Sequence, residues 1–176
     1  MFKKGLVHLY TGDGKGKTTA ALGLAMRAAG HDKSILLVQF LKTKQSGEDI
    51  STRFINNIDL KEVAKSDKYF FQLSAFEKED VRKKIKREWK ELKKIIIRGE
   101  YDLIILDEIT SVVNNGIIPA DEISGNIKKR ASGVEIVMTG KDASRELTAI
   151  SDYVTQMQMI RHPNNIGSIP RVGIEY

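Results

Sequence analysis

The segment Thr11-Gly12-Asp13-Gly14-Lys15-Gly16-Lys17-Thr18-Thr19 joins a short β-prone run, Leu6 to Thr11, to an Ala- and Leu-rich stretch, Thr18 to Ala29, that reads as a helix closed by Gly30. Glycines at 12, 14 and 16 let successive backbone N–H groups turn inward around an anion, and the following helix adds the positive end of its dipole. Gly16-Lys17-Thr18 supplies the end of the phosphate-binding pattern G-x-x-x-x-G-K-S/T. Its first glycine falls at position 11, where this chain has Thr11, so the strict pattern fails by one residue. Lys17 is expected to contact phosphate oxygens and the Thr18 hydroxyl to reach a magnesium ion, with Gly12 to Thr19 as the binding segment. The alternative is an ordinary glycine-rich turn; a strand before and a helix after favour the phosphate loop.

Working outward, Ser34 to Phe40 and Asp102 to Glu108 are near-continuous apolar runs, as in strands buried on both faces. Ile58 to Val63, Val134 to Met138 and the alternating Val154 to Ile160 read as further strands. Helices are expected over Ala75 to Arg98, Pro119 to Arg130 and Ala143 to Ile150, and polar Lys42 to Thr52 as a loop. Strands separated by helices give an α/β fold, a mostly parallel sheet with helices on both faces. In such a sheet the ligand sits at the carboxyl ends of the strands, so the loops after Tyr10, Phe40, Leu106 and Met138 should converge. Asp107 and Glu108, ending a buried strand, then become metal-site carboxylates, one holding magnesium through Thr18 and the other ligating it or orienting a nucleophile. Asp107 as a plain strand-end cap is the simpler alternative. Lys141 after a strand, with Arg145 one turn on, would bring two cations to further phosphate, or else forms a surface turn.

The length, 176 residues, fits one domain spanning the chain, and 41% hydrophobic content excludes a disordered polymer. With no cysteine there is no disulfide framework, thiolate zinc site or thiol nucleophile. No apolar run reaches membrane-span length and Met1 to Tyr10 lacks a signal core, so a cytoplasmic protein without membrane partners is expected. The net charge of +6 suits polyanions. Much of it lies between Arg82 and Lys94, where Val81, Ile85, Trp89, Leu92 and Ile96 recur at helical spacing, so those cations read as a solvated outer face rather than a nucleic-acid patch. Tyr69-Phe70-Phe71 with Phe76 reads as core, and His8, His31 and His162 show no metal-ligand spacing.

Together these residues resemble the ATP:corrinoid adenosyltransferases. Gly12 to Ala20 is similar to that family's offset phosphate loop, Arg27-Ala28-Ala29-Gly30-His31 to its helix end, and Val38-Gln39-Phe40-Leu41-Lys42 to its second strand. Leu106-Asp107-Glu108-Ile109-Thr110, Thr139-Gly140-Lys141 and Gly173-Ile174-Glu175-Tyr176 resemble its acidic strand end, third loop and C-terminus, so the likeness runs from about Gly5 to Tyr176. The resemblance implies a three-layer P-loop NTPase fold of the RecA type, ATP in reversed orientation, attack of Co(I) on the ribose 5′-carbon and release of triphosphate. It implies catalytic roles for Lys17, Thr18 and Glu108, magnesium on Thr18, Glu108 and Asp107, and nucleotide contacts from Asp13, Lys15, Thr19, Arg27, Lys141 and Arg145. It further implies a homodimer, ATP and a reduced corrinoid as substrates, and an electron-donating flavoprotein reductase. Phe71 falls where the family packs an aromatic beneath the corrin to favour a four-coordinate cobalt. Two residues on, where well-known members have Trp, this chain has Leu73, a side chain still able to exclude water. Some members have a covering segment ahead of the first strand; the expectation here is a site without that cover.

Two rivals come from other classes. An ATP-hydrolysing P-loop protein would use Asp107 and Glu108 to polarise water and would release orthophosphate. A basic nucleic-acid-binding module would use the Arg82 to Lys94 face and show steep salt dependence.

Overall fold

The computed structural model describes residues 2–43, 46–161 and 171–174. The expected Gly173–Tyr176 likeness therefore reaches the described residues only at 173 and 174, and His162 lies outside them.

Six strands form one wholly parallel sheet: β1 (Val7–Thr11), β2 (Ile35–Phe40), β3 (Ile58–Val63), β4 (Leu103–Asp107), β5 (Glu135–Thr139) and β6 (Tyr153–Gln156), in the order β3-β2-β4-β5-β1-β6. β5 is thus inserted between the strand that carries the glycine-rich loop and the strand that ends in Asp107, as expected for a P-loop fold of the RecA type. Alternate side chains of the buried strands enter two separate apolar layers. Leu36, Val38, Phe40, Ile104, Leu106, Ile136 and Met138 face one; Ile35, Leu37, Leu103, Ile105 and Val137 face the other. The second is covered by Ala21 and Ala25 of α1 (Lys17–Ala29), whose small side chains let the helix lie close to the sheet.

The first layer is covered by four helices. α3 (Ala75–Arg98) contributes the stripe Val81, Ile85, Trp89, Leu92 and Ile96. Its start is fixed by a capping box, with the Glu77 carboxylate accepting from the Ser74 N–H at 2.7 Å and the Ser74 hydroxyl from the Glu77 N–H, and Gly99 at φ 68 ends it. Its cations face outward beside acids: Lys84 lies 2.7 Å from Asp80, Lys61 of β3 lies 2.7 Å from Glu88, and Lys93 lies 3.2 Å from Glu122. α4 (Ile109–Asn114), α5 (Ala120–Ile127) and α6 (Arg145–Ala149) complete the layer.

Several boundaries differ from expectation. The polar 42–52 stretch contains a short helix, α2 (Gly47–Ser51), because the Asp49 carboxylate accepts from both the N–H and the hydroxyl of Ser46. α4 was not expected; six residues are too few to display a period. α5 and α6 are shorter than read, and β6 stops at Gln156, because the chain then leaves the sheet to lie on the glycine-rich loop: Met157 N–H donates to Thr11 C=O at 2.8 Å and its carbonyl accepts from Gly14 N–H at 2.7 Å. Among the described residues no helix is long and apolar enough to cross a membrane.

Candidate functional site

Because the strands are all parallel, Thr11, Phe40, Asp107 and Thr139 end at one edge of the sheet, and the side chains there form a connected set. The buried Asp107 carboxylate is its centre: Oδ1 accepts from the Thr18 hydroxyl at 2.8 Å and from the Thr139 hydroxyl at 2.6 Å. Thr139 in turn accepts from the Glu108 N–H at 2.9 Å. With its proton directed at Asp107, the Thr18 oxygen keeps lone pairs for a cation. Glu108 adopts φ 60, which swings its carboxylate off the strand line toward Ser111, whose hydroxyl donates to Oε2 at 2.5 Å. Gly140 is required beside it: at φ +135, a Cβ would sit 2.1 Å from the Thr110 hydroxyl oxygen and 3.3 Å from Glu108 Oε2.

The glycine-rich loop is held from outside. A Cβ on Gly12 would lie 2.3 Å from the Met157 carbonyl oxygen and one on Gly14 2.7 Å from it. The Gly14 N–H is committed to that carbonyl, so this one amide does not turn inward as the sequence suggested. Lys17 folds back over the loop, donating to Gly14 C=O at 2.7 Å. Thr11, where the strict pattern has glycine, acts as a strand end: its hydroxyl accepts from Ala143 N–H at 3.3 Å, tying the loop after β5 to β1. Asp13 accepts from Met159 N–H at 3.1 Å. Lys15 and Thr19 are exposed on this rim, and Lys141 and Arg145 are exposed beyond Gly140. Arg27 sits in the last turn of α1, its backbone about 15 Å along the helix axis from Lys17, and its charge acts on the Tyr10 phenol.

A second network joins β2 to α2. Gln39 is fully buried, and one terminal atom of its carboxamide lies 3.4 Å from both Asp107 Oδ2 and Glu48 Oε1. Lys42 Nζ is 2.9 Å from that atom, which assigns it as the oxygen and leaves the nitrogen to donate to Asp49 Oδ1 at 3.2 Å. Lys42 also pairs with Glu48 at 2.6 Å. Burial pushes the Glu48 carboxyl up, but its hydrogen bond to Lys42 and other contacts outweigh this and hold it below the usual range. For Asp49, burial is likewise outweighed, by the Ser46 N–H and hydroxyl and by Lys65.

Both networks border a pocket of about 460 Å³ whose lining includes Thr18, Lys42, Asp107 and Glu108 together with Tyr69, Phe70 and Phe71. The aromatic cluster is thus not the core element read from sequence. Phe71 is 75% exposed, Tyr69 56% and Phe76 84%, and only Phe70 packs on the core. Leu73 does the reverse of its expected role: at 7% exposure it is part of the core beneath α3 and does not line the pocket.

The sequence profile of the family described as "ATP:corrinoid adenosyltransferase BtuR/CobO/CobP" matches residues 3–176. The chain belongs to this family. It is similar to the corrinoid adenosyltransferase of Escherichia coli, 26% identical over 174 residues, covering 99% of this chain and 87% of the relative. The corrinoid adenosyltransferase CobA of Salmonella typhimurium matches with the same identity and coverage. An uncharacterised protein of Nostoc sp. is 31% identical over 90% of this chain and 45% of its own length.

For a member of the ATP:corrinoid adenosyltransferase family, the donors at this edge suit a hard cation that retains most of its own ligands. Among the described residues no three His, Cys, Asp or Glu side chains cluster as a complete metal cage. One hydroxyl and one or two carboxylates, with phosphates and waters completing the shell, is the manner in which magnesium is ordinarily held. Sequence reasoning missed Gln39, Thr139 and Ser111 as site residues. Gln39 carried a readable signal, a lone amide within an otherwise apolar strand; Thr139 carried none, because strands commonly end in threonine.

Proposed function

We propose that this chain, acting as one domain, transfers the 5′-deoxyadenosyl group of ATP to the Co(I) ion of a corrinoid and releases inorganic triphosphate. The observation that carries this reading is the pocket that joins the loop residue Thr18 and the acids Asp107 and Glu108 to the exposed wall of Tyr69 and Phe71. A phosphate site alone would suit any ATP-using protein; exposed aromatic rings lining the same pocket suit a macrocycle as second substrate. The cobalt lone pair attacks the ribose 5′-carbon, the carbon–oxygen bond breaks, and its electron pair leaves with triphosphate.

The chain's own part is positioning and charge. Lys17, now bonded to Gly14 C=O, turns to the phosphates, and loop amides with the first turn of α1 hold the departing anion. Thr18 and Glu108, with Asp107 fixing the Thr18 hydroxyl or itself joining the shell, would hold a magnesium ion, which would supply charge neutralisation to the leaving triphosphate. Lys15, Thr19, Lys141 and Arg145 are exposed cations or donors at the same rim and serve the nucleotide. No general base is required, since the nucleophile carries no proton. The reading includes a homodimer working in the cytoplasm and an electron from a flavoprotein reductase to convert Co(II) to Co(I).

The test is an anaerobic assay with ATP, magnesium and chemically reduced cobalamin. Loss of the Co(I) absorbance, a light-sensitive adenosylated product and intact triphosphate are expected. Steady orthophosphate release from ATP with no corrinoid product would instead assign an ATPase.

A further inference from the structure

Residues 69–73 form a turn whose side chains divide between core and pocket, with Phe70 touching both. Phe70 and Leu73 are anchors: Phe70 packs on the core with the Lys78 and Arg82 cations 5.9 Å and 5.4 Å from its ring centroid, and Leu73 is buried beneath α3. The backbone between them is tied, with Tyr69 N–H donating to the Gln72 side chain at 2.9 Å and Gln72 N–H to Tyr69 C=O at 2.9 Å. Tyr69 and Phe71 project from this fixed turn into the pocket, their rings 5.6 Å apart and within 7° of parallel. An exposed side chain ordinarily samples several rotamers, and an aromatic neighbour stacked on it removes much of that freedom before any ligand arrives.

We propose that Tyr69 is a positioning residue for the corrinoid: its ring, stacked on Phe71, holds the Phe71 ring as the flat surface on which the macrocycle rests. It supplies the second aromatic of the wall that Leu73, drawn into the core, does not. This inference rests on the adenosyltransferase reading. A planar occupant follows from two parallel, stacked rings that line the same pocket as Thr18, Asp107 and Glu108. A purine is the other flat ring available there, and the experiment separates the two.

The full-length protein and its Tyr69→Ala and Tyr69→Phe variants are loaded anaerobically with magnesium, ATP and cob(II)alamin. The four-coordinate Co(II) signal is read by electron paramagnetic resonance, beside ATP affinity without corrinoid and turnover from Co(II) with a reductant or from prepared Co(I). Tyr69→Ala is expected to lose the four-coordinate signal and to slow the Co(II) route about three- to tenfold more than the Co(I) route, the range of one aromatic stacking pair. Tyr69→Phe is expected to restore both. A Tyr69→Ala protein with the full signal overturns the inference, as does a Tyr69→Phe protein as impaired as Tyr69→Ala, or a loss confined to ATP affinity, which assigns the stack to adenine. A wild-type protein that makes no adenosylated product even from prepared Co(I) overturns the functional reading itself.

Discussion

Thr139 is the least conspicuous member of the site and the one whose removal is most informative. Its hydroxyl donates to Asp107 and accepts from Glu108 N–H, so Thr139→Val keeps shape while orphaning a backbone donor and taking one bond from a buried carboxylate. The expected result is a loss of about 1–3 kcal/mol in urea denaturation, together with weaker magnesium dependence of turnover. Lys17→Ala should abolish detectable ATP binding by calorimetry while leaving the fold intact, since among the described residues Lys17 bonds to its own loop. Phe71→Ala should slow turnover from Co(II) under a reductant more than turnover from prepared Co(I); equal losses on both would refute a role beneath the corrin. At this scale the sequence foretold that Thr18, Asp107 and Glu108 would meet at one edge of the sheet. It was unreadable where direction matters. Tyr69, Phe70, Phe71 and Leu73 are all apolar-bodied, and nothing in their spacing says that Leu73 joins the core, that Tyr69 and Phe71 leave it, and that Phe70 touches both core and pocket.

Among elements, α3 was readable end to end because its stripe, its capping box and its closing glycine agree. The same agreement makes a pH prediction. Accepting from the Ser74 N–H, and lying beside Lys68 and the Ser74 hydroxyl, holds the Glu77 carboxyl down from 4.5 to about 2. A carboxylate with a depressed value stabilises the fold above its unfolded value and loses that contribution as pH falls through the folded one. Wild-type protein should therefore lose helix-start stability between pH 4.5 and about 2 more steeply than Glu77→Gln, followed by circular dichroism during acid titration. α2 and α4 were not readable, because five- and six-residue helices hold through local contacts at Ser46 and the turn at Glu108 rather than through periodicity. β6 was over-extended for a related reason: alternation continues to Ile160, but the backbone of Met157 finds its partners on the glycine-rich loop.

For the whole molecule, the parallel sheet was legible from strands separated by helices, and with it the edge at which the loops meet. Binding at that edge should stabilise the entire fold, because the loops that close on the nucleotide leave the carboxyl ends of β1, β4 and β5. Magnesium and ATP at a hundredfold excess over Kd contribute about 2.7 kcal/mol, a rise in Tm of roughly 5–10 °C for a chain of this size. The shift should vanish in Lys17→Ala by differential scanning fluorimetry. The docking of Met157 onto Gly12 and Gly14 gives this coupling a further expression. β6 is one of the sheet's two edge strands and is exposed along its length, and such margins are where native proteins open first and exchange their amide hydrogens fastest. Here that margin grips the nucleotide loop, so fraying of β6 and slackening of the loop are one event. Deuterium uptake at Met157 and Gly14 should fall together when ATP binds, and a protease cut within β6 should silence a site on the strand beside it.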